Sequence, residues 1–390
     1  MGNIQREKLK IGILSFYYPH LGGSGIVATR IASYLAKIGH DVHFIGYDTD
    51  TNPEEMENLG VKLHNVRKID YPCLKNEPYI WSLASKICEL CEDVDLDLIH
   101  ANYALPHAAS AFLAREKLKL GGKYLPYVVT GHGSDIHTNG SKDQVNPILQ
   151  LCLNSADALT FVSKDLKNIA QDSLGIEKHG IHISNFVDTK KFYEKKTGLR
   201  EKLNIPEKSF VIGHVSNFAP VKQVYHFSYL AESLKVAGIL DNTYFLMVGD
   251  GRDRAQLEER VEKIEAENNF RFLGRLDYEE LLEAYNSMDV LLLPSKHEGN
   301  PLSILEAMAC SKAIIGTDVG GIRETIEGGG GFLFESGNIP ELEKIISKLK
   351  NNREYCLDVG KKGLEKIREE YSVEKIIGKY LKVYNSVRKK

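Results

Sequence analysis

The sequence predicts an α/β protein built from two halves, each with a parallel sheet covered by helices. Three observations lead to this prediction. Short apolar runs alternate with longer helical patterns throughout the chain. The alternation stops near Asp188 and restarts at Phe210. The length of 390 residues suits two or three domains of ordinary size.

The first half begins with a strand and then alternates. Its apolar runs have the length of buried parallel strands, and they predict strands at Lys10–Ser15, Asp41–Tyr47, Asp97–Ala101, Tyr127–Thr130, Ala158–Val162 and Gly180–Ile183. Apolar residues that recur every three or four positions predict helices at Ile26–Ile38 and Leu105–Leu118.

The second half repeats this organisation after a charged stretch, Thr189–Lys208, which we interpret as a polar linker. Strands are predicted at Phe210–His214, Tyr244–Val248, Arg271–Leu273, Val290–Pro294 and Ala313–Thr317. Helices are predicted at Val224–Val236, Arg254–Glu267, Tyr278–Ser287, Ser303–Cys310 and, in the tail, Ser372–Val387. We therefore predict one domain at 1–187 plus 371–390 and a second at 205–370.

Composition excludes several classes of protein. Hydrophobic residues make up 43% of the chain, too many for a disordered protein. The 50 Lys and Arg residues nearly balance the 53 Asp and Glu residues, so a nucleic-acid partner is not expected. No apolar run reaches the ~18–20 residues of a membrane span, and no secretory leader is evident. We expect a cytoplasmic protein with small-molecule substrates; a homodimer stays open.

Two short patterns resemble metal or redox sites. Cys88-x-x-Cys91 lies in a helical pattern without a second cysteine pair, so we interpret it as two reduced helix cysteines. The Asp93-x-Asp95-x-Asp97 run precedes a predicted strand, whereas ligands of such sheets bind where strands end. We interpret this run as a solvated loop and predict neither a metal nor another cofactor.

Glycine-rich turns follow three of the predicted strands. Gly22-Gly23-Ser24-Gly25 precedes the first helix, Gly249-Asp250-Gly251 follows the strand ending at Val248, and Gly320-Gly321 follows the strand ending at Thr317. Glycine lets the backbone approach a ligand closely, and a helix N-terminus favours an anion. A tight turn without a ligand would explain any one of these turns. The three together indicate a nucleotide bound at the carboxyl ends of the strands.

A pair of carboxylates follows the predicted strand Val290–Pro294. Glu298 lies on a Gly/Pro loop, and Glu306 is predicted in the first turn of a helix that Ser303 would cap. Carboxylates accept hydrogen bonds from sugar hydroxyls, while backbone N–H groups bind phosphate. A first-turn carboxylate that stabilises the helix dipole would also explain Glu306. Together the two predict a site for a phosphorylated, polyhydroxylated ligand.

Glu298-x7-Glu306, followed by Ala-Met-Ala-Cys and later by Gly-Thr-Asp-Val-Gly-Gly-Ile, resembles the signature of the family-4 retaining glycosyltransferases. The resemblance covers nearly the whole chain. It implies the GT-B fold: an α/β protein with two Rossmann-like domains facing a central cleft, the first binding the acceptor and the second the nucleotide sugar. It also implies sugar transfer with retention and without a metal.

The resemblance assigns roles to individual residues. Glu298 would lie at the donor sugar and Glu306 at the ribose. Lys222 matches the family lysine that faces the diphosphate, although Asn217 stands where an arginine is usual. His132, in Gly131-His132-Gly133-Ser134-Asp135, would reach the donor sugar, with Asp135 organising its loop. The implied catalytic residues are His132, Lys222 and Glu298, and the implied donor-binding residues are Gly22, Gly23, Asn217, Gly249, Gly251, Gly299, Asn300, Pro301, Leu302 and Glu306.

Further motifs resemble the family members that transfer N-acetylglucosamine (GlcNAc) to L-malate in bacillithiol biosynthesis; they include Tyr103–Ala108 and Ser216–Phe218. This implies UDP-GlcNAc as donor and an acceptor near Ser24, Tyr103 and Thr130. Those enzymes usually have basic residues where Ala219 and Gln223 stand, and malate is a dianion. An aminocyclitol acceptor such as 2-deoxystreptamine, in aminoglycoside antibiotic biosynthesis, is the alternative, and a non-catalytic sugar-nucleotide-binding protein is a second one.

Overall fold

The computed structural model describes residues 8–15, 22–47, 53–66 and 78–388. The chain divides into two compact units. Unit 1 contains Met1–Ser184 and Glu374–Lys390, and unit 2 contains Asn185–Val373. Each unit has one parallel sheet with helices between its strands, which confirms the predicted fold class of two Rossmann-like domains.

The described part of unit 1 forms a seven-stranded sheet in the order β3-β2-β1-β4-β5-β6-β7. Its strands are β1 (Lys10–Leu14), β2 (Asp41–Tyr47), β3 (Lys62–Val66), β4 (Leu98–Asn102), β5 (Tyr127–Gly131), β6 (Ala158–Phe161) and β7 (Gly180–His182). Its helices are α1 (Gly23–Lys37), α2 (Pro53–Asn58), α3 (Tyr79–Asp93), α4 (Ala104–Leu120), α5 (Asn146–Ser155) and α6 (Lys164–Leu174).

Unit 2 forms a six-stranded sheet in the order β10-β9-β8-β11-β12-β13. Its strands are β8 (Phe210–Val215), β9 (Thr243–Val248), β10 (Phe270–Gly274), β11 (Val290–Leu293), β12 (Ala313–Thr317) and β13 (Gly331–Phe334). Its helices are α7 (Leu199–Lys202), α8 (His226–Val236), α9 (Arg254–Lys263), α10 (Tyr278–Ser287), α11 (Leu302–Ala309), α12 (Gly320–Ile326), α13 (Ile339–Asn351) and α14 (Arg353–Glu370). The final helix, α15 (Val373–Arg388), returns to unit 1.

Both sheets reverse their strand order at one point. In unit 1 the reversal lies between β1 and β4, where Leu14 pairs with Ala101. In unit 2 it lies between β8 and β11, where Val290 pairs with Ile212. Helices leave towards opposite faces of the sheet at such a point, so a crevice opens beyond the strand ends. The loops after β4, β8 and β11 are therefore the places to look for a ligand site.

The segment that we interpreted as a linker belongs to unit 2. Phe192 and Ile205 are buried in its core. Val187 forms a bridge with Ser372, so the two points where the chain crosses between the units lie side by side. Because lysines surround Phe192 and Ile205 in the sequence, the segment resembled a solvated linker.

The helix predicted at Arg254–Glu267 is shorter than expected. It ends at Lys263, and Glu265 adopts a left-handed backbone with φ 53°. A single 3₁₀ turn, Glu267–Asn269, then leads into β10. The left-handed residue stops the helix, because helix continuation needs a negative φ at every position.

The Asp93–Asp97 run lies before β4, as predicted, and the carboxylates of Asp95 and Asp97 contact other parts of unit 1. Asp95 Oδ1 pairs with Lys123 Nζ at 2.7 Å. Asp97 Oδ2 accepts from the Lys10 N–H at 2.7 Å, and its Oδ1 lies 3.0 Å from Arg388 Nε. Two of these contacts hold β1 and α15 in place, which is a structural role.

Cys88 and Cys91 lie on α3, as predicted, and both are free thiols. Cys91 is buried in the core of unit 1, and Cys88 is half-buried beside it. Among the helices that the structure describes, none is long and apolar enough to cross a membrane.

Candidate active site

The loops that follow β8 and β11 bring together the two charged residues predicted to be catalytic in unit 2. Lys222 ends a 3₁₀ turn, Pro220–Lys222, and Glu298 lies on the loop between β11 and α11. Lys222 Nζ donates to Glu298 Oε1 at 2.6 Å. The side chains are 19% and 9% exposed, so the ion pair is largely shielded from water.

Backbone contacts hold these two loops in register. The Lys296 N–H donates to the Val221 carbonyl at 2.8 Å. Below them, His214 Nδ1 donates to the Leu292 carbonyl at 3.0 Å, which joins β8 to β11 at the switch point. Burial lowers the pKa of His214 to about 4, so the ring is neutral and serves as a fixed cross-strand link.

Glu306 lies deeper than the sequence predicted. Helix α11 begins at Leu302 with Pro301 as its N-cap and no side-chain cap bond, so Ser303 does not cap it. Glu306 is therefore in the second turn and is only 5% exposed. Tyr285 Oη, from α10, donates to Glu306 Oε2 at 2.9 Å. Because the dipole effect falls off within the first turn of a helix, stabilisation of the helix dipole does not explain Glu306 at this position.

The loop Gly299–Leu302 is anchored by a network around Asn300. The Asn185 N–H donates to Asn300 Oδ1 at 2.9 Å, and Asn185 Nδ2 donates to the Asn300 carbonyl at 2.7 Å. Asn300 Nδ2 donates to Thr325 Oγ1, on α12, at 2.9 Å. The Asn300 side chain, predicted to bind the donor, is thus engaged in fixing the loop that carries Glu298.

Two glycines of the turn after β9 allow the neighbouring loop to pack closely. A Cβ at Gly249 would lie 1.8 Å from the Ser216 carbonyl oxygen, and one at Gly251 would lie 2.8 Å from the Phe218 nitrogen. Both have positive φ, 122° and 156°. Asn217, between the two contacted residues, is exposed in the loop after β8. These glycines shape the site by admitting the β8 loop.

Gly321 makes the closest approach in unit 2. Its N–H donates to the Glu298 carbonyl at 3.1 Å, and a Cβ at this position would lie 1.6 Å from the Gly299 carbonyl oxygen. The N-terminus of α12 therefore touches the backbone of the Glu298 loop, which only glycine permits.

Replacing Gly321 by alanine is expected to destabilise unit 2 by about 2 kcal/mol, because the new methyl group must displace the Glu298 loop. Urea unfolding measures this change. The matched control is Gly198→Ala, where a Cβ would meet nothing within 4 Å and the change should stay within about 0.5 kcal/mol. Equal stability of the two variants would show that the Glu298 loop accommodates the new methyl group without a loss of stability.

In unit 1, the ends of β4 and β5 hold the predicted residues around Asp135. Its buried carboxylate accepts from the N–H groups of Ala104 at 2.7 Å, Gly133 at 2.8 Å and His132 at 3.1 Å. It thereby joins the N-terminus of α4 to the His132 loop, the organising role expected of it. Burial raises the pKa of Asp135 to about 6, against these N–H contacts, which lower it.

His132 is a neutral group in this environment. Burial, with a smaller contribution from His107, lowers the pKa of His132 to about 3. Its Nε2 lies 3.3 Å from Oδ1 of Asn102, a fully buried residue at the end of β4 that the sequence analysis did not single out. A neutral imidazole can position a hydroxyl group, but it is not a cation at neutral pH.

Thr130 does not fit its assignment to the acceptor. It is fully buried, and its hydroxyl lies 2.6 Å from His100 Nε2 and 2.5 Å from Thr160 Oγ1. His100 Nδ1 lies 2.7 Å from the Tyr384 hydroxyl on α15. We therefore correct the assignment: Thr130 belongs to a buried hydrogen-bonded chain beneath the site, which links β4, β5, β6 and α15.

Tyr103 has a strained backbone. Its φ is 80°, which is unusual for a residue with a side chain, and its hydroxyl lies 2.6 Å from Ser134 Oγ.

Gly22 and Gly23 form the N-cap and the first residue of α1, and Ser24 follows in the first turn. Residues 16–21 of the same glycine-rich turn lie outside the described residues.

The chain matches known proteins over both units. Residues 195–366 match the family Glycosyl transferases group 1, and residues 21–191 match Glycosyltransferase Family 4. N-acetyl-alpha-D-glucosaminyl L-malate synthase of Bacillus anthracis is 33% identical over 384 residues, which is 97% of each protein. An uncharacterized glycosyltransferase of Methanocaldococcus jannaschii is 30% identical over 97% of this chain and 99% of its own length.

Solved structures show the same fold. HepE of Anabaena, in complex with UDP and glucose, superimposes with a TM-score of 0.80 at 19% identity, covering 97% of this chain and 100% of its own. Sucrose-phosphate synthase from Thermosynechococcus elongatus gives a TM-score of 0.80 at 18% identity, covering 97% and 99%. With a relative that is 33% identical over 97% of its length, the chain belongs to the family-4 glycosyltransferases of GT-B fold.

Proposed function

We propose that this protein transfers GlcNAc from UDP-GlcNAc to a hydroxyl group of a small malate-type acceptor, with retention of anomeric configuration and without a metal. The observation that carries the proposal is the Lys222–Glu298 pair at the switch point of unit 2, in a chain 33% identical to a GlcNAc-malate synthase. The UDP bound in the HepE structure supports a uridine nucleotide as the donor's leaving group.

The proposed chemistry needs stabilisation of a departing diphosphate. Lys222 supplies a cation on the loop after β8, and backbone N–H groups at the start of α11 add the positive end of a helix dipole. A fixed ammonium group can replace the charge that a metal ion supplies in other enzymes. Glu298 would accept from hydroxyl groups of the sugar, and Glu306 from those of the ribose.

Unit 1 would receive the acceptor near Tyr103 and the first turn of α1. Neutral His132 would hold a sugar hydroxyl there and orient the anomeric carbon. Backbone N–H groups at the start of α1 would contribute to binding of a malate dianion there.

An assay of UDP release tests this proposal. UDP-GlcNAc is supplied with L-malate, with 2-deoxystreptamine or with no acceptor, each with and without EDTA, and the anomeric configuration of the product is read by NMR. We expect release with L-malate, unaffected by EDTA, and an α-linked product. UDP release with 2-deoxystreptamine but not with L-malate would show that the acceptor is an aminocyclitol. No UDP release with any acceptor would indicate a non-catalytic sugar-nucleotide-binding protein.

Replacing Glu306 by alanine is expected to raise the KM for the donor about 30-fold while changing kcat less than about threefold, because hydrogen bonds to the ribose are equally present in ground and transition states. Steady-state kinetics at varied UDP-GlcNAc measures both constants. Glu258→Ala is the matched control, since Glu258 pairs with Arg254 on the partly exposed face of α9 and should leave KM unchanged. A fall in kcat alone would contradict the ribose role.

A further inference from the structure

Tyr285 is a hydrogen-bond partner of Glu306 and belongs to a different helix. It lies in the last turn of α10, is fully buried, and directs its hydroxyl at Glu306 Oε2 over 2.9 Å. Nothing in the sequence pattern separates it from an ordinary core aromatic, because it occupies the apolar face of α10. The contact therefore identifies a role that the family signature does not contain.

The ring of Tyr285 is packed against a neighbouring aromatic residue, and the helix that carries it has a defined start. The Tyr285 ring packs edge-to-face on Phe192, with ring centroids 5.9 Å apart. Helix α10 begins with a capping box, in which the Asp277 carboxylate accepts from the Glu280 N–H and the Glu280 side chain accepts from the Asp277 N–H. The position of the phenol is thus fixed by helix geometry and packing.

A carboxylate that binds two neighbouring hydroxyl groups must adopt one orientation about the Cγ–Cδ bond of the glutamate side chain. The terminal torsion angle of glutamate has a broad distribution, so a free carboxylate can adopt many orientations. A hydrogen bond from a rigid phenol to one oxygen selects one of them in advance, so less freedom is lost when the ligand binds. The bond is charge-assisted and buried, which makes it stronger than an exposed one.

We propose that Tyr285 is a positioning residue that sets nucleotide affinity by orienting the Glu306 carboxylate towards the ribose hydroxyls. This inference rests on the ribose role proposed for Glu306. It predicts that the contribution of the Tyr285 hydroxyl exists only when the ligand carries those ribose hydroxyls. A residue that merely supports the fold would affect all nucleotides equally.

The test compares UDP with 2′,3′-dideoxy-UDP by titration calorimetry. The wild-type protein should prefer UDP about 30-fold. Tyr285→Phe should bind UDP about tenfold more weakly but bind 2′,3′-dideoxy-UDP within about twofold of wild type, so that its preference falls to about threefold. The unchanged affinity for the dideoxy nucleotide shows that the variant is folded.

Tyr278→Phe is the matched control, because Tyr278 lies on the same helix, also packs edge-to-face on Phe192, and donates its hydroxyl to the Lys191 carbonyl. It should keep the full 30-fold preference. Glu306→Ala should abolish the preference, and if it does not, the ribose role of Glu306 is wrong and the inference fails with it. If Glu306→Ala abolishes the preference while Tyr285→Phe retains it, only the inference on Tyr285 is overturned.

Discussion

Lys222→Ala is expected to lower kcat by about 10³-fold with a much smaller change in the KM for UDP-GlcNAc. The ammonium group is needed most when the bond to the diphosphate breaks and negative charge builds on the leaving oxygen. No other cation is paired with Glu298 in the described residues, and Asn217 carries no charge to take over the task. Single-turnover kinetics with saturating donor measures the chemical step directly.

Loss of Lys222 also leaves the Glu298 carboxylate largely buried without its partner, and this is expected to cost about 1–3 kcal/mol of stability. The double variant Lys222→Ala/Glu298→Gln should restore stability, and comparing its kcat with that of Glu298→Gln alone isolates the contribution of Lys222 to the chemical step. Lys235→Ala is the control: its ion pair with Glu265, at 3.3 Å, is exposed and lies outside the site. Turnover near the wild-type rate in Lys222→Ala would refute the role given to this lysine.

The sequence predicted the framework of both sheets because buried parallel strands and amphipathic helices have distinct periods. It missed the edge strands β3 and β13. β3 is Lys-Leu-His-Asn-Val, and its first residue is exposed. β13 is the four-residue run Gly-Phe-Leu-Phe, three of whose residues are half-buried. Edge strands are covered on fewer sides, so their composition carries less signal.

The candidate site was predictable where function depends on a loop at a strand end, and not where it depends on contacts across the chain. Lys222 and Glu298 are 76 residues apart, yet each occupies a recognisable turn. Tyr285 and the Asn185–Asn300 contacts carry no local pattern. Thr130 was misassigned because its position at a strand end says nothing about which face its side chain occupies.

The stability of unit 1 is expected to fall steeply below about pH 6.5. Burial lowers the pKa of His100 and His132 to about 3 and that of His64 and His107 to about 4. Unfolding returns each to its usual value of about 6.5, so in acid the unfolded chain takes up protons that the folded chain does not. The stability is complete above pH 6.5 and is lost as the pH falls towards the folded values.

His100, His107 and His132 each cost about 2 kcal/mol by pH 5, and His64, which is more exposed to water, costs less. Asp135, whose pKa is raised to about 6, takes up a proton in the folded state first and offsets one of them in part. The sum for these groups of unit 1 is a loss of roughly 5 kcal/mol between pH 7 and pH 5, whereas His214, with a pKa lowered to about 4, contributes about 2 kcal/mol in unit 2.

Hydrogen exchange followed by mass spectrometry separates the two units, because it reports the opening free energy of each peptide. At pH 5, after correction for the intrinsic exchange rate, peptides of β4 and β5 should lose far more protection than those of β11 and β12. His107→Gln should reduce the pH dependence of unit 1 by about one proton, since glutamine does not titrate. Equal losses in both units would mean that the histidines of unit 1 titrate nearly as they do in water, and that its buried hydrogen-bonded chain is open to solvent.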